Sequence, residues 1–374
     1  MEQEAKQKVG PGVLGVLAGC VALCLLMVLC LTGDGARTTA VAAAATLDLP
    51  RQTAAAEEGG AAISGKVIPV GRAVGIKLFS DGVLVVGLSS VETAEGACYP
   101  GRDCGLKEGD VITHINGAEV DTIEEVQSLV KEQEGEPLTI QAVRGQRQMQ
   151  LTGAAVENEE GVYQLGVWLR DSMAGIGTMT FYDPETGVFA ALGHGINDVD
   201  TAMLMPLESG SIMSASVSDV KKGANGEPGE LHGEFDLTRD LGTLYANTSL
   251  GIFGRMDKGE LDLGQAMPVA RKDQVKEGAA TILSNVRGDR VEEFDVEIIH
   301  VSPDGDGTRN LMVRVADPDL LEITGGIVQG MSGSPILQDG RIVGAVTHVL
   351  VNDPTRGYGI LIENMLGAAQ VTTE

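Results

Sequence analysis

The sequence predicts a mainly β chain: an N-terminal membrane-crossing helix, a small mixed module, then one or two closed β-barrels. Three observations lead there. The run "VLGVLAGCVALCLLMVLCL", residues 13–31, is apolar, unbroken by charge and just long enough to span a bilayer. Glycine is abundant, at 51 of 374 residues, which favours turn-rich β structure over long helices. From about Gly161 onward, short strand signals and glycine turns follow one another closely, as in "GIGTMTFYDPETGVFAALGHG", "FDVEIIHV", "NLMVRVAD" and "RIVGAVTHVLV". Strands at that density close into a barrel, and just over two hundred residues suffice for two small barrels with a cleft between them.

The elements follow in order. Lys6 and Lys8 precede the apolar run, so the N-terminus stays cytoplasmic and the rest crosses. An uncleaved anchor fits its length better than a signal-peptide core, although "TTAVAAAA" after it offers a signal peptidase small residues. Either way the bulk of the protein is expected outside the cytoplasm. We divide the chain at 1–34 (stub and membrane segment), 35–65 (tether), 66–156 (mixed module) and 157–374 (barrel domain). The tether is rich in Ala, Thr and Glu and has no apolar period. With 43% hydrophobic and only 3% aromatic residues, the core must rest on Val, Ile, Leu, Ala and Met. A formal charge of −26 repels phosphate backbones and argues against a nucleic-acid partner.

Cys20, Cys24 and Cys30 fall in the membrane run and act there as small apolar residues. Cys98 and Cys104, in "GACYPGRDCGL", could close a disulfide loop in an oxidising compartment or remain two thiols.

In the mixed module "GVLVVGLSS" is a short buried strand. "TIEEVQSLVKEQ" is a helix with Ile123, Val126, Leu129 and Val130 at helical spacing, and Thr122 with Glu125 is a capping-box signature. "PLTIQAVRG" and "RQMQLTG" alternate like paired strands around Arg144 and Gly145. This order, with the Gly-Leu-x-x-Gly-Asp-x-Ile-x-x-Ile-Asn-Gly motif of residues 105–117, resembles a PDZ domain. The resemblance implies that "AVGIKLFSDG" supplies a carboxylate-binding loop. Amides near Val74, Gly75 and Ile76 would then hold a peptide C-terminus, and the strand would add the peptide to the sheet edge. The chain itself could fill that groove instead. His114 reads as a solvated strand residue.

The run "GGIVQGMSGSPILQDGRIVGAVTHVL", residues 325–350, raises the question of chemistry. A strand-to-helix nucleophile elbow fails, because Ser334 stands where its second glycine belongs, Pro335 follows, and the next element is a strand. A Ser-Lys dyad with a downstream lysine fails because no lysine follows Ser332, and no His-Glu-x-x-His zinc motif exists. "GMSGSP" is similar to the "GDSGGP" loop of barrel proteases, keeping Gly330, Ser332, Gly333 and Pro335. In that loop the amides of Gly330 and Ser332 form an oxyanion hole. Ser332 then needs a base, and His194, ending an apolar strand at a glycine turn, is the best of the five histidines. His348 would lie near the bound peptide backbone. A carboxylate should orient the imidazole: Asp317 is preferred, with Asp198, Asp200 and Asp319 as rivals. Met331 stands where an aspartate receives a freed N-terminus in many secreted barrel proteases, so activation by that ion pair is not expected.

"ADPDLLEITGGIVQGMSGSPI", with "GHGINDVDT", "GEPGEL", "NTSLGIFG" and "AVTHVLVNDPTRGYG", is similar to the SpoIVB family, over nearly all the chain beyond the tether. That family comprises signalling serine peptidases of spore-forming Firmicutes, with a membrane segment, a PDZ domain and a trypsin-like double-barrel peptidase in that order. The resemblance implies a triad of His194, Asp317 and Ser332, with no metal or cofactor. It implies secretion into the space between the two forespore membranes. There such enzymes cleave themselves and a membrane-bound regulator, which releases an intramembrane protease that matures a sigma factor. The other class of function is a PDZ module on an inactive barrel, acting by contact alone.

Overall fold

A computed structural model describes residues 65–256, 259, 263–304 and 307–371. The expected membrane segment and all but Gly65 of the tether lie outside the described residues. Among the described residues no helix is long and apolar enough to cross a membrane.

In chain order the first strands are β1 (Lys66–Pro69) and the sixteen-residue β2 (Ala73–Leu88). The PDZ-like module follows: β3 (Val91–Thr93), β4 (Gly96–Cys98), the one-turn helix α1 (Pro100–Asp103), β5 (Asp110–Ile115), β6 (Ala118–Glu119), α2 (Ile123–Glu132), β7 (Leu138–Arg144), β8 (Arg147–Gly153), β9 (Val156–Glu157) and β10 (Tyr163–Gln164). The chain then re-enters β structure with the sixteen-residue β11 (Val167–Tyr182), followed by β12 (Val188–Ala191), β13 (Ser209–Lys221), β14 (Glu230–Thr248), β15 (Gly251–Met256) and β16 (Met267–Pro268). Last come β17 (Gly278–Arg287), β18 (Arg290–Val301), β19 (Leu311–Val315), α3 (Pro318–Thr324), β20 (Pro335–Gln338), β21 (Arg341–Val349), β22 (Arg356–Leu361) and α4 (Ile362–Val371).

Two barrels are present, as the strand density predicts. β2, β11, β12, β15, β14 and β13 pair in a ring that the β11–β2 ladder closes. β17, β18, β19, β22, β21 and β20 close the second barrel. Phe181, Phe189 and Phe253 are fully buried, and Val, Ile, Leu, Ala and Met make up most of the remaining core. α2 starts at the predicted cap: Thr122 accepts from the Glu125 amide and the Glu125 carboxylate accepts from the Thr122 amide. β7 and β8 form the expected hairpin.

Residues 66–80 fall inside the expected 66–156 module but pair elsewhere. They belong to the first barrel, not to the mixed module. The early part of β2 pairs with β11 on one side and β13 on the other, while Val83 and Leu84 pair with β5 of the module. The module is therefore inserted between two barrel strands that continue into it. The reason is geometric: an extended strand keeps its two-residue period whichever sheet it joins, so nothing in the apolar pattern marks the crossing. The crossing itself bears a mark, since Gly82 has φ +80 and a Cβ there would lie 2.8 Å from Val111 Cγ1.

Cys98 and Cys104 are free thiols. Cys104 caps α1 with its thiol directed at the Gly101 carbonyl, 3.1 Å away, and Cys98 faces Gly96 within its own hairpin.

Candidate active site

Ser332 sits in a tight loop between α3 and β20. A left-handed glycine, Gly325, ends α3. Two turns then fold the loop: Met331 N donates to Val328 O at 3.1 Å and Ser334 N to Met331 O at 3.0 Å. Gly333 N to Val346 O, 2.7 Å, and Val346 N to Ser334 O, 2.9 Å, tie it to β21. The glycines around Ser332 are required by space and by backbone. Gly330 has φ +95 and Gly333 φ +98, and a Cβ on Gly333 would lie 2.0 Å from the Thr178 carbonyl oxygen. Among the described residues, the amides of Gly330 and Ser332 make no hydrogen bond. An oxyanion hole needs backbone N–H groups left free beside the nucleophile, and these two are free.

β11 holds this loop from the first barrel. Thr178 N donates to Ser332 O at 3.0 Å, and the buried Thr178 hydroxyl donates to Gly330 O at 2.7 Å. The Thr178 carbonyl in turn accepts from Leu192 N at 3.2 Å. Leu192 (φ +70) and Gly193 (φ +69) make the left-handed turn that presents His194. A Cβ on Gly193 would meet Thr347 Cγ2 at 2.9 Å. Ser332 Oγ donates to the Thr347 carbonyl at 2.7 Å, and the next residue, His348, places its ring 5.0 Å from that of His194. The structure thus gathers Ser332, His194 and His348 around Thr347, where the two barrels meet.

His194 Nδ1 lies 2.8 Å from the Gly195 carbonyl. A carbonyl only accepts, so this contact assigns the proton to Nδ1 and leaves Nε2 a lone pair. The residue keeps some surface at solvent, but protein packs around the ring, and desolvation lowers its pKa below the ordinary histidine value against an opposing pull from the Gly195 carbonyl. At neutral pH the ring is uncharged and able to act as a base.

Asp317 is not brought to His194. It is the N-cap of α3: Oδ1 accepts from Asp319 N at 2.9 Å and Leu320 N at 3.0 Å, and Oδ2 from Asp295 N at 3.3 Å. An Asp-Pro pair opening a helix is a cap position by chemistry. Asp319 follows it on α3 and is exposed. Asp198 and Asp200, the other rivals, both bind Arg170. Among the described residues no carboxylate hydrogen-bonds His194, and the Gly195 carbonyl occupies the orienting position.

Val74, Gly75 and Ile76 also lie elsewhere than expected. Each is paired on both sides, with Gly177, Ile176 and Gly175 of β11 and with Ser214, Met213 and Ile212 of β13. Their ladder has no edge to offer a peptide. The module's outer strand beside α2 is instead the first part of β11, where Asp171 Oδ2 accepts from Ile123 N at 2.9 Å. Ser89 N donates to Gly166 O at 2.9 Å. The next opposed pair, Leu88 and Val167, is therefore a non-bonded one, and the N–H and C=O of Val167 face outward.

Sequence reasoning missed Thr178, the Gly195 carbonyl and Arg170. Each acts through a backbone group or a partner distant in sequence, and none has a motif. Among the described residues no group of three or more His, Cys, Asp or Glu side chains is placed to hold a metal ion.

A family model described as SpoIVB peptidase S55 matches residues 161–366, and a PDZ-domain model matches residues 94–144. No curated protein matches the chain. Similar solved structures include the PDZ domain of an SdrC-like protein from Listeria monocytogenes, 23% identical at a TM-score of 0.20 over 24% of this chain and 87% of that one. The HtrA-type protease AlgW with a decapeptide is 12% identical at a TM-score of 0.32, over 54% of this chain and 53% of that one. A protease from M. tuberculosis in its active form is 13% identical at a TM-score of 0.29, over 52% of this chain and 72% of that one.

Proposed function

The chain belongs to the SpoIVB peptidase S55 family and is a serine peptidase carrying a PDZ domain, and from that premise we propose that it is an extracytoplasmic endopeptidase of sporulation signalling that works through Ser332 and His194. The observation that carries the assignment is the convergence of the Ser332 loop and the His194 turn on Thr178 and Thr347.

In the structure the Ser332 hydroxyl donates a hydrogen bond to the Thr347 carbonyl. Attack needs the hydroxyl to turn toward His194, whose Nε2 takes the proton as Oγ bonds to the scissile carbonyl carbon. The amides of Gly330 and Ser332 hold the resulting oxyanion. His194 then gives its proton to the leaving amine, and a water repeats the cycle to free the acyl group. Throughout, Gly195 O keeps Nδ1–H in place. Asp317 acts on the loop only through the helix it caps. Peptide addition by the PDZ domain is assigned to the outer edge of β11 at Val167 rather than to β2.

Family likeness supports the rest of the reading: self-cleavage, cleavage of a membrane-bound regulator that frees an intramembrane protease, and action in the forespore intermembrane space. A fluorophosphonate probe tests the core of it. Wild-type protein labels, and Ser332→Ala and His194→Ala do not, since removing one member of a catalytic unit removes most of the rate. Folded wild-type protein that never labels would favour a scaffold acting by contact.

A further inference from the structure

The PDZ module packs against the segment that follows His194, nearer the catalytic base than the chain order suggests. Two residues past His194 the backbone enters a hairpin that returns at Met205: Asp198 N donates to Met203 O at 2.8 Å and Met205 N to Ile196 O at 3.0 Å. On one side Asn247 of β14 clamps it, accepting from Ile196 N and donating to Ile196 O and Met205 O. On its other side lies the PDZ sheet. Met205 is buried with Leu84 of β2 and Val111 of β5, and Ile196 and Leu207 pack on the same cluster. A Cβ on Gly109 of the module would fall 2.7 Å from the Met203 sulfur.

Inside this apolar contact one arginine meets two carboxylates. Arg170 stands on the module half of β11, opposite Leu84. Its guanidinium binds Asp198, whose side chain is fully buried, and reaches the half-exposed Asp200 at 2.8 Å. Asp198 also accepts from Asp200 N at 3.1 Å and from Thr201 N and Oγ1, both at 2.8 Å. Asp198 is thus the knot of the hairpin, and Arg170 is the cation that fixes the knot to the PDZ strand. We infer that Arg170 is a positioning residue for His194, holding the base-bearing hairpin in register with the PDZ module. The inference rests on the assignment of His194 as base to Ser332.

A guanidinium fork is suited to this role. It engages two carboxylates in fixed directions, which a lysine point charge cannot do. A buried partner charge makes the link specific, because Asp198 tolerates no position of the hairpin that leaves it unpaired. Eight residues along the same strand, Thr178 holds the Ser332 loop. One strand therefore sets the places of both the base and the nucleophile.

The test uses the full chain and the rate of fluorophosphonate labelling at Ser332, with thermal unfolding measured alongside. Arg170→Met combined with Asp198→Asn removes both charges, so no unpaired ion is buried and the fold survives. Its labelling rate is expected to fall about 10²-fold, the loss that a small misplacement of a catalytic group brings. Arg170→Lys keeps the charge on Asp198 but not the fork, and is expected to melt near wild type and label several-fold slower. A wild-type labelling rate in either folded variant overturns the inference while leaving the peptidase assignment intact. If the double variant does not fold, Arg170→Lys decides alone. Wild-type protein that fails to label overturns both.

Discussion

Asp317 separates two accounts of how His194 is held. If its carboxylate oriented the imidazole, Asp317→Asn would fold normally and lose about four orders of magnitude in rate through the wrong tautomer. In the structure it caps α3, and Asn caps a helix about as well as Asp. We expect Asp317→Asn to label with the probe at close to the wild-type rate. Asp317→Ala should lose roughly 0.5–2 kcal/mol of stability with the cap. A collapse of labelling in the folded Asn variant would restore the carboxylate to the catalytic unit. His194 makes a second prediction, through burial. Its pKa in the folded chain lies below the ordinary value, which is about 6.5 for an unfolded histidine. Between those two values the unfolded chain binds a proton that the folded chain does not. This group's contribution to stability is therefore complete above about pH 6.5 and is lost as pH falls toward the folded pKa. The acid limb of labelling should fall below pH 6.5 and follow the folded value. A limb at or above 6.5 would mean that the ring is not desolvated in the active enzyme.

At the scale of elements, legibility depended on whether a pattern was local. α2 could be read to its cap because Thr122 and Glu125 lie three apart and satisfy each other. The β7–β8 hairpin could be read because alternation flanks a glycine turn. The glycines and serine of the nucleophile loop could be read because their spacing is that of a known turn chemistry. β2 and β11 are not legible in sequence, because each serves both the barrel and the module within one continuous sheet and its period does not change between them. That one feature misplaced the expected peptide groove: Ile76 is a barrel residue only 5% exposed, not a groove residue. Thr178 was invisible for another reason. In "GIGTMTFY" it alternates with Thr180 on one buried face, and nothing nearby in sequence shows that its hydroxyl reaches Gly330, 152 residues away. The Asp-Pro at 317 stands shortly before the serine loop, where an orienting carboxylate is expected, but its immediate chemistry is that of a helix start.

For the whole molecule, the insertion changes what counts as the peptidase. The family match begins at Gly161, but the first barrel does not. Its ring needs the early part of β2, which lies before the module in sequence and pairs with both β11 and β13. A protein beginning at Gly161 would leave those two strands facing each other across a missing neighbour. It would also lose Val74, Ile76 and Leu78, all at or below 5% exposure, from the apolar clusters they help to fill. Burying such side chains is worth about 1.5–3 kcal/mol each, and three of them together rival the roughly 5–15 kcal/mol margin of a whole domain. The same cut removes Leu84 and Val111, against which the His194 hairpin rests. We therefore expect residues 161–374 to be unfolded and silent toward the probe, and residues 66–374 to fold and label Ser332. Melting curves and labelling of the two proteins side by side check this. A folded, labelling 161–374 protein would mean that the barrel closes without β2, and that the strand belongs to the PDZ module after all.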